Sequence, residues 1–228
     1  MRKYPAISGP FEKALYFEQE EIEDVCETAL KSVGLYPDSP SPIRIERFLE
    51  KKFGLSPEYA DLPEGVLGLT KFGPGGPEKV VLSISLSDTE DKISDRRIAT
   101  TLAHEAGHIL FHAELFQNHF KKYSEDEMVV LCRGLPGTSD RTSYSGRWWE
   151  HQANKAIGAL LIPFGLLEKT VVPFLEATKK GKGKPQMPYI GPKQRQAAIF
   201  RFSEIFDVNP IVAKIRLAET FPTSKISP

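Results

Sequence analysis

Residues Ser94–Ala113 read SDRRIATTLAHEAGHILFHA, with His104-Glu105-Ala106-Gly107-His108 at the centre. Two imidazoles stand four residues apart with a carboxylate between them. On an α-helix, positions i and i+4 share a face. That is the spacing two ligands need to hold one metal ion.

The stretch has the pattern of a helix. Ser94 is placed to act as N-cap, and Asp95 suits the positive end of the helix dipole. At about 100° per residue, Ile98, Ala99, Leu102, Ala103, Ala106, Ile109, Leu110 and Ala113 fall on one arc. Thr101, His104, Glu105, His108 and His112 fall on the other. An ordinary amphipathic helix would also divide into two arcs. The metal reading adds a reason for the histidine pair and its intervening carboxylate.

The chain has 228 residues, 40% hydrophobic and 26% charged, enough for one sizeable domain with a possible appendage. Thirty basic and thirty acidic residues give a formal net charge of zero. There is then no global pull toward nucleic acid or an anionic membrane. The two cysteines, Cys26 and Cys132, show no pairing pattern and suggest a reducing compartment. No apolar run approaches the roughly 18 residues of a membrane span. The start, MRKYPAISGPFEK, lacks the apolar segment of a signal peptide. A cytoplasmic location is expected.

Outward from the central helix, residues 1–10 read as irregular. Glu18–Val33 and Ile43–Phe53 read as helices, closed by Gly34 and Gly54. Gly65–Phe72 and Glu78–Ser85 read as a hairpin around Gly73-Pro74-Gly75-Gly76-Pro77. The hairpin is either plain scaffold or an edge that pairs with an extended peptide beside the site. Residues 114–147 are poorly periodic and long for a connection. Trp148–Ile162 is a strong helix stopped by Pro163, and Phe164–Lys179 is a further helix that breaks at Pro173. After the linker 181–185 come helices over Lys193–Phe206 and Pro210–Glu219, with Asn209 as cap of the last.

A catalytic zinc needs a third protein ligand and an open position. Glu114 does not serve: on a continuing helix it projects opposite to His104 and His108. Glu150 is the better candidate. On the helix 148–162 it projects beside Ile157 and Leu161, on the rim of the core face. A carboxylate aimed there needs a compensating partner, and a metal supplies one. The rival partner is an arginine such as Arg147. Asn154, one turn on, is placed to hydrogen-bond a ligand, while His151, Gln152 and Lys155 face away. His112 shares the stripe of His104 and His108 and reads as a neighbour of the ligands or as a partly exposed residue, rather than as a ligand. Glu105 is the candidate general base. Tyr144, His112 and His119 are candidates to stabilise an oxyanion, with Tyr144 preferred.

Together, His104-Glu-Ala-Gly-His108 and Glu150-His-Gln-Ala153-Asn154-Lys-Ala156-Ile-Gly-Ala-Leu160-Leu161-Ile-Pro163 resemble the ImmA/IrrE family of metallo-endopeptidases. The ending Phe202 to Leu217 is similar to that family's C-terminal helix pair, and the resemblance covers roughly residues 43 to 217. Gln152 and Lys155 depart from it, standing where glutamate and an aromatic residue are common. The resemblance implies an α+β, mostly helical, gluzincin-like fold with a small antiparallel sheet. Residues 1–180 would form the zincin-like peptidase domain, and 181–228 a helical segment packed on or appended to it. It further implies one zinc held by His104, His108 and Glu150, and cleavage of a regulatory protein. The typical target is a helix-turn-helix repressor of a mobile element or stress response.

Two histidines and a carboxylate also suit iron or manganese. Other functional readings exist for the same chain. The last two helices could contact DNA through Lys193, Arg195, Arg201, Lys214 and Arg216. Against this, Lys214 and Arg216 do not face together, and Glu204 and Asp207 dilute the patch. A third reading is a toxin–antitoxin-like protein held by a partner.

Overall fold

A computed structural model describes residues 1–6, 11–88, 91–122, 130–132, 148–175 and 189–221, with the side chains of 119–122 and 130–132 excepted. The fold is α+β, with seven α-helices and two small sheets among the described residues. The chain opens on β1 (Arg2–Pro5), paired antiparallel with β2 (Lys13–Tyr16). Helices α1 (Gln19–Ser32) and α2 (Ile45–Phe53) follow. The second sheet is built from β3 (Glu58–Ala60), β4 (Gly68–Gly73), β5 (Gly76–Ser83) and β6 (Val130–Cys132), in the order β3-β5-β4-β6. Between β5 and β6 runs α3 (Lys92–Lys122), 31 residues long. Then come α4 (Trp148–Leu161), α5 (Phe164–Val171), α6 (Pro192–Phe206) and α7 (Pro210–Thr220).

Several expectations are corrected. Arg2–Pro5 is a strand and not an irregular start; its four exposed residues carry no apolar alternation to announce it. It is held by backbone pairing to β2 and by ion pairs of Arg2 with Glu18 and Lys3 with Glu114. The second sheet is mixed rather than antiparallel, because β3 joins β5 in parallel. Three residues are too few to show a period. The central helix starts two residues before Ser94. Asp91 caps it, its Oδ1 accepting from the backbone N–H groups of Ile93 and Ser94 at 2.9 and 2.8 Å. The helix also runs well past Ala113, where Leu115 and Phe116 continue the buried face and Phe116 stacks flat on Phe72 of β4.

The β4–β5 hairpin and the C-terminal helix pair lie where expected. Asn209 caps α7 by accepting from Ile211 N at 3.0 Å. Helix α5 ends at Val171, and Val172–Phe174 form a 3-10 turn at Pro173.

One hydrophobic cluster runs through the molecule. It takes in Leu15 of β2, Leu30 of α1, Phe48 of α2, Leu82 of β5, Leu102 and Phe116 of α3, Leu160 of α4, Phe202 of α6 and Leu217 of α7. Two buried arginines tie the helices together. Arg96 of α3 donates to Asp207 Oδ1 at 2.9 Å, Glu204 Oε1 at 2.7 Å and the Ser203 carbonyl at 3.1 Å. Arg216 of α7 grips both carboxylate oxygens of Glu23 on α1, at 2.5 and 2.7 Å, and donates from Nε to the Ile162 carbonyl at 3.1 Å. Arg216 is therefore a brace of the core and offers nothing to a DNA phosphate. Among the described residues, no single helix is long and apolar enough to cross a membrane.

Candidate metal centre

Helix α3 supplies the first two side chains. His104 and His108 are fully buried and lie on the face turned to α4. The approach of α4 depends on Gly107, between the two histidines. A Cβ there would come within 2.8 Å of the Ala156 Cβ and 3.0 Å of the Ala153 Cα. With glycine opposite two alanines the helix axes close up, and Glu150, in the first turn of α4, reaches the histidine pair. Its side chain is only 13% exposed.

The three groups converge through specific atoms. His104 Nε2 and His108 Nε2 are 3.0 Å apart. His104 Nε2 lies 3.2 Å from Glu150 Oε2, and His108 Nε2 lies 3.5 Å from Glu150 Oε1. An ion held tetrahedrally at about 2.0–2.1 Å has ligand-to-ligand edges of about 3.3–3.4 Å. The three measured edges bracket that figure. His104, His108 and Glu150 thus form a buried group that could hold a metal ion. Burial by itself would raise the Glu150 carboxyl, but hydrogen bonds with His104 and His108 outweigh it and hold the group well below the usual carboxylate range. The third group is then a deprotonated carboxylate, the form in which an acidic side chain ligates a metal.

Glu105, next to His104 on the same helix, is also buried. The hydroxyl of Thr70, in the middle of β4, donates to its Oε2 at 2.7 Å. Gly68 allows the strand to come this close, since a Cβ there would lie 2.6 Å from Thr101 Cγ2 and 3.2 Å from Glu105 Oε1. The other edge of β4, away from β5, is taken by β6, with Thr70 opposite Leu131. The edge that sequence offered to an extended peptide therefore carries a segment of the chain itself.

A chain of hydrogen bonds leads from His108 away from the centre. His108 Nδ1 is 3.1 Å from His112 Nδ1, and His112 Nε2 is 2.9 Å from Gln152 Oε1. Gln152 Nε2 donates to the Leu15 carbonyl. His112 is fully buried, and its pKa is pushed down to about 3, by burial first and by His108 second. Of the two readings open for His112, the structure has the neighbour of a candidate ligand and not the partly exposed residue.

Asn154 does not. It is exposed to solvent, and the polar residue of α4 that joins the network behind His108 is Gln152, through His112, although sequence placed it facing away. Glu150 and Gln152 both point inward because they flank, from opposite sides, the line along which α4 meets α3. His151 is exposed, and Glu114 pairs with Lys3 at the surface. Tyr144, the side chain of His119 and Arg147 lie outside the described residues.

Sequence reading missed Thr70, Gly68 and Gln152. A glycine inside a strand pattern signals close backbone approach, and Gly68 carried that signal. No single-sequence feature links Thr70 to a carboxylate 35 positions later. No protein-family model matches the chain, and no curated protein matches it.

Proposed function

We propose that the chain is a zinc-dependent endopeptidase of the ImmA/IrrE type, acting on a regulatory protein such as a helix-turn-helix repressor. The observation that carries this reading is the convergence of His104 Nε2, His108 Nε2 and the Glu150 carboxylate at ligand-to-ligand distances, beside a second buried carboxylate, Glu105. Three protein ligands leave a fourth position for water, the pattern of a catalytic rather than a structural zinc. A structural site would have no use for the base.

Zinc, when bound, supplies a Lewis acid that acidifies water and polarises a scissile carbonyl. The protein's residues do the rest. Glu105 takes a proton from the attacking water and delivers it to the leaving amine. Thr70 holds Glu105 Oε2 by its hydroxyl, which limits the carboxylate to one orientation. Glu150 contributes negative charge to the cation and leaves the proton transfers to Glu105.

The test is metal content by mass spectrometry on protein purified without added metal. Wild type is expected to hold about one zinc per chain. Glu150→Ala is expected to lose it. Glu105→Gln is expected to keep the metal and to leave a co-expressed repressor intact that wild type cuts. A wild type that takes up no zinc, even on reconstitution, would sink this reading. Iron or manganese in place of zinc would keep the site and change the metal.

A further inference from the structure

Strand β4 is the strand that touches the candidate site. Its Thr70 hydroxyl donates to Glu105, and its Gly68 lies against Thr101 and Glu105. We propose that β6 is an autoinhibitory strap. It occupies the β4 edge on which an extended peptide substrate would pair, and it must leave before a substrate can lie beside Glu105. This inference rests on the peptidase reading.

A peptide that adds to a sheet needs a free row of backbone N–H and C=O groups. Strand β4 has two such rows. β5 takes one along the whole strand, from Gly68 opposite Leu82 to Gly73 opposite Gly76. β6 takes the other, with Leu69, Thr70 and Lys71 opposite Cys132, Leu131 and Val130. Thr70 is in the middle pair of the three. Paired residues of an antiparallel ladder have Cα atoms about 4.5–5.5 Å apart. The backbone of β6 therefore runs directly beside the residue that orients the candidate base. An extended substrate that pairs with β4 needs the same place.

The two neighbours of β4 are held unequally. β5 spans eight residues, its Val80 and Leu82 are in the core, and β3 flanks it on the far side. β6 spans three residues, and no described strand flanks it. Among the described elements it packs substantially on β4 alone. Its hold on the edge is thus backbone pairing. An incoming peptide offers β4 the same N–H and C=O groups, so the exchange leaves no backbone group of β4 unpaired. Removal of β5 would instead open the core. A strap in place also covers an edge that would otherwise invite aggregation. One closed in about nine of ten molecules lowers the apparent affinity for substrate about 10-fold.

The register supplies the test. Cys132 stands opposite Leu69, so Leu69→Cys sets two cysteines within the Cα separation of about 4.4–6.8 Å that a disulfide spans. Oxidation locks the strap, and TCEP frees it in the same protein. Oxidised wild type, with leucine at 69, is the control. The first readout needs no metal. A fluorescein-labelled peptide of residues 128–134, with Cys132→Ser, is titrated against metal-free protein by anisotropy. The reduced variant is expected to bind it about 10-fold more tightly than the oxidised variant, or better. The second readout is turnover of a mixed fluorogenic peptide library by zinc-loaded protein. It is expected to fall on oxidation and to return with TCEP.

A second variant opens the strap. Successive amides of a strand point to opposite sides, so the double change Leu131→Pro and Cys132→Pro removes one donor to β4 whichever residue supplies it. It is expected to lower KM about 10-fold and to keep kcat. Peptide affinity that is the same in both redox forms would make β6 a permanent strand and overturn the proposal, and so would turnover that ignores oxidation. Should Leu69→Cys fail to fold, the proline variant decides, and wild-type values of KM and peptide affinity would overturn the proposal. Peptide binding that follows the lock, with no turnover in any form, would remove the peptidase reading and leave β6 as a displaceable occupant of the edge.

Discussion

Thr70 and Glu105 are joined by a 2.7 Å hydrogen bond across 35 residues of sequence, from the middle of a strand to the middle of a helix. Both side chains are fully buried. The bond therefore fixes Glu105 without competition from water. Thr70→Val has nearly the same shape and lacks the hydroxyl. It is expected to keep its zinc and to cleave a mixed fluorogenic peptide library about 10-fold more slowly, the usual scale for a partner behind a reacting group. Wild-type turnover in this variant would show that Glu105 does not depend on Thr70.

Gly107 is the second control point. Alanine is the better helix former by about 1 kcal/mol, so Gly107→Ala on an open helix face would stabilise. Here its Cβ would meet Ala156 at 2.8 Å. Overpacking of this kind costs about 1–3 kcal/mol and would push α4 away from α3. The expected result is a lower urea midpoint together with weaker zinc binding, because Glu150 moves with α4. A Gly107→Ala protein as stable as wild type would contradict the close helix contact.

The brace between Arg216 and Glu23 predicts a non-additive pair. Arg216 is 1% exposed, and its two carboxylate contacts are 2.5 and 2.7 Å. Glu23→Ala leaves a buried, uncompensated guanidinium, at about 3–5 kcal/mol. Adding Arg216→Met removes that charge and is expected to recover a large part of the loss in urea unfolding. A double variant as unstable as the sum of its single changes would show that the two side chains act independently.

Acid sensitivity should arise where α3 meets α6. Hydrogen bonds from Arg96 first and Lys92 second hold the Glu204 carboxyl down at about 2, against an ordinary 4.5. A carboxyl depressed in the folded state stabilises above its unfolded pKa and loses that contribution as pH falls through the folded value. The Glu204 contribution is therefore full above about pH 4.5 and fades toward about pH 2. Glu204→Gln is expected to flatten this limb of the stability curve. Added salt is expected to shrink the wild-type effect, since Glu204 is exposed and such pairs are screened. An unchanged acid limb in Glu204→Gln would locate the sensitivity elsewhere.

Much of the framework was legible because it is local. The arcs of the helix around His104 and His108, the glycine-rich hairpin turn and the Asn209 cap each follow from residues a few positions apart. Glu150 was found by its place on the rim of an apolar face, a signal carried within one helix. Gln152 was misjudged for the same reason. A projection of α4 alone does not know that α3 and β2 meet it along two sides, so it assigned Gln152 to solvent and Asn154 to the site. Thr70 and Arg216 depend on partners that only the fold brings near. Arg2–Pro5 and Glu58–Ala60 become strands by pairing, with no period of their own to announce them.

Arg216 also sets an order in time. The helix that carries Glu150 is held at its far end by an arginine 54 positions after Ile162, and that arginine reaches back 193 positions to Glu23. During synthesis at about 5–20 residues per second, α3 and α4 emerge several seconds before Arg216 does. Until then α4 lacks the brace at its end opposite Glu150, and a ribosome stalled before α7 would display both histidines and the carboxylate on helices not yet tied to α1.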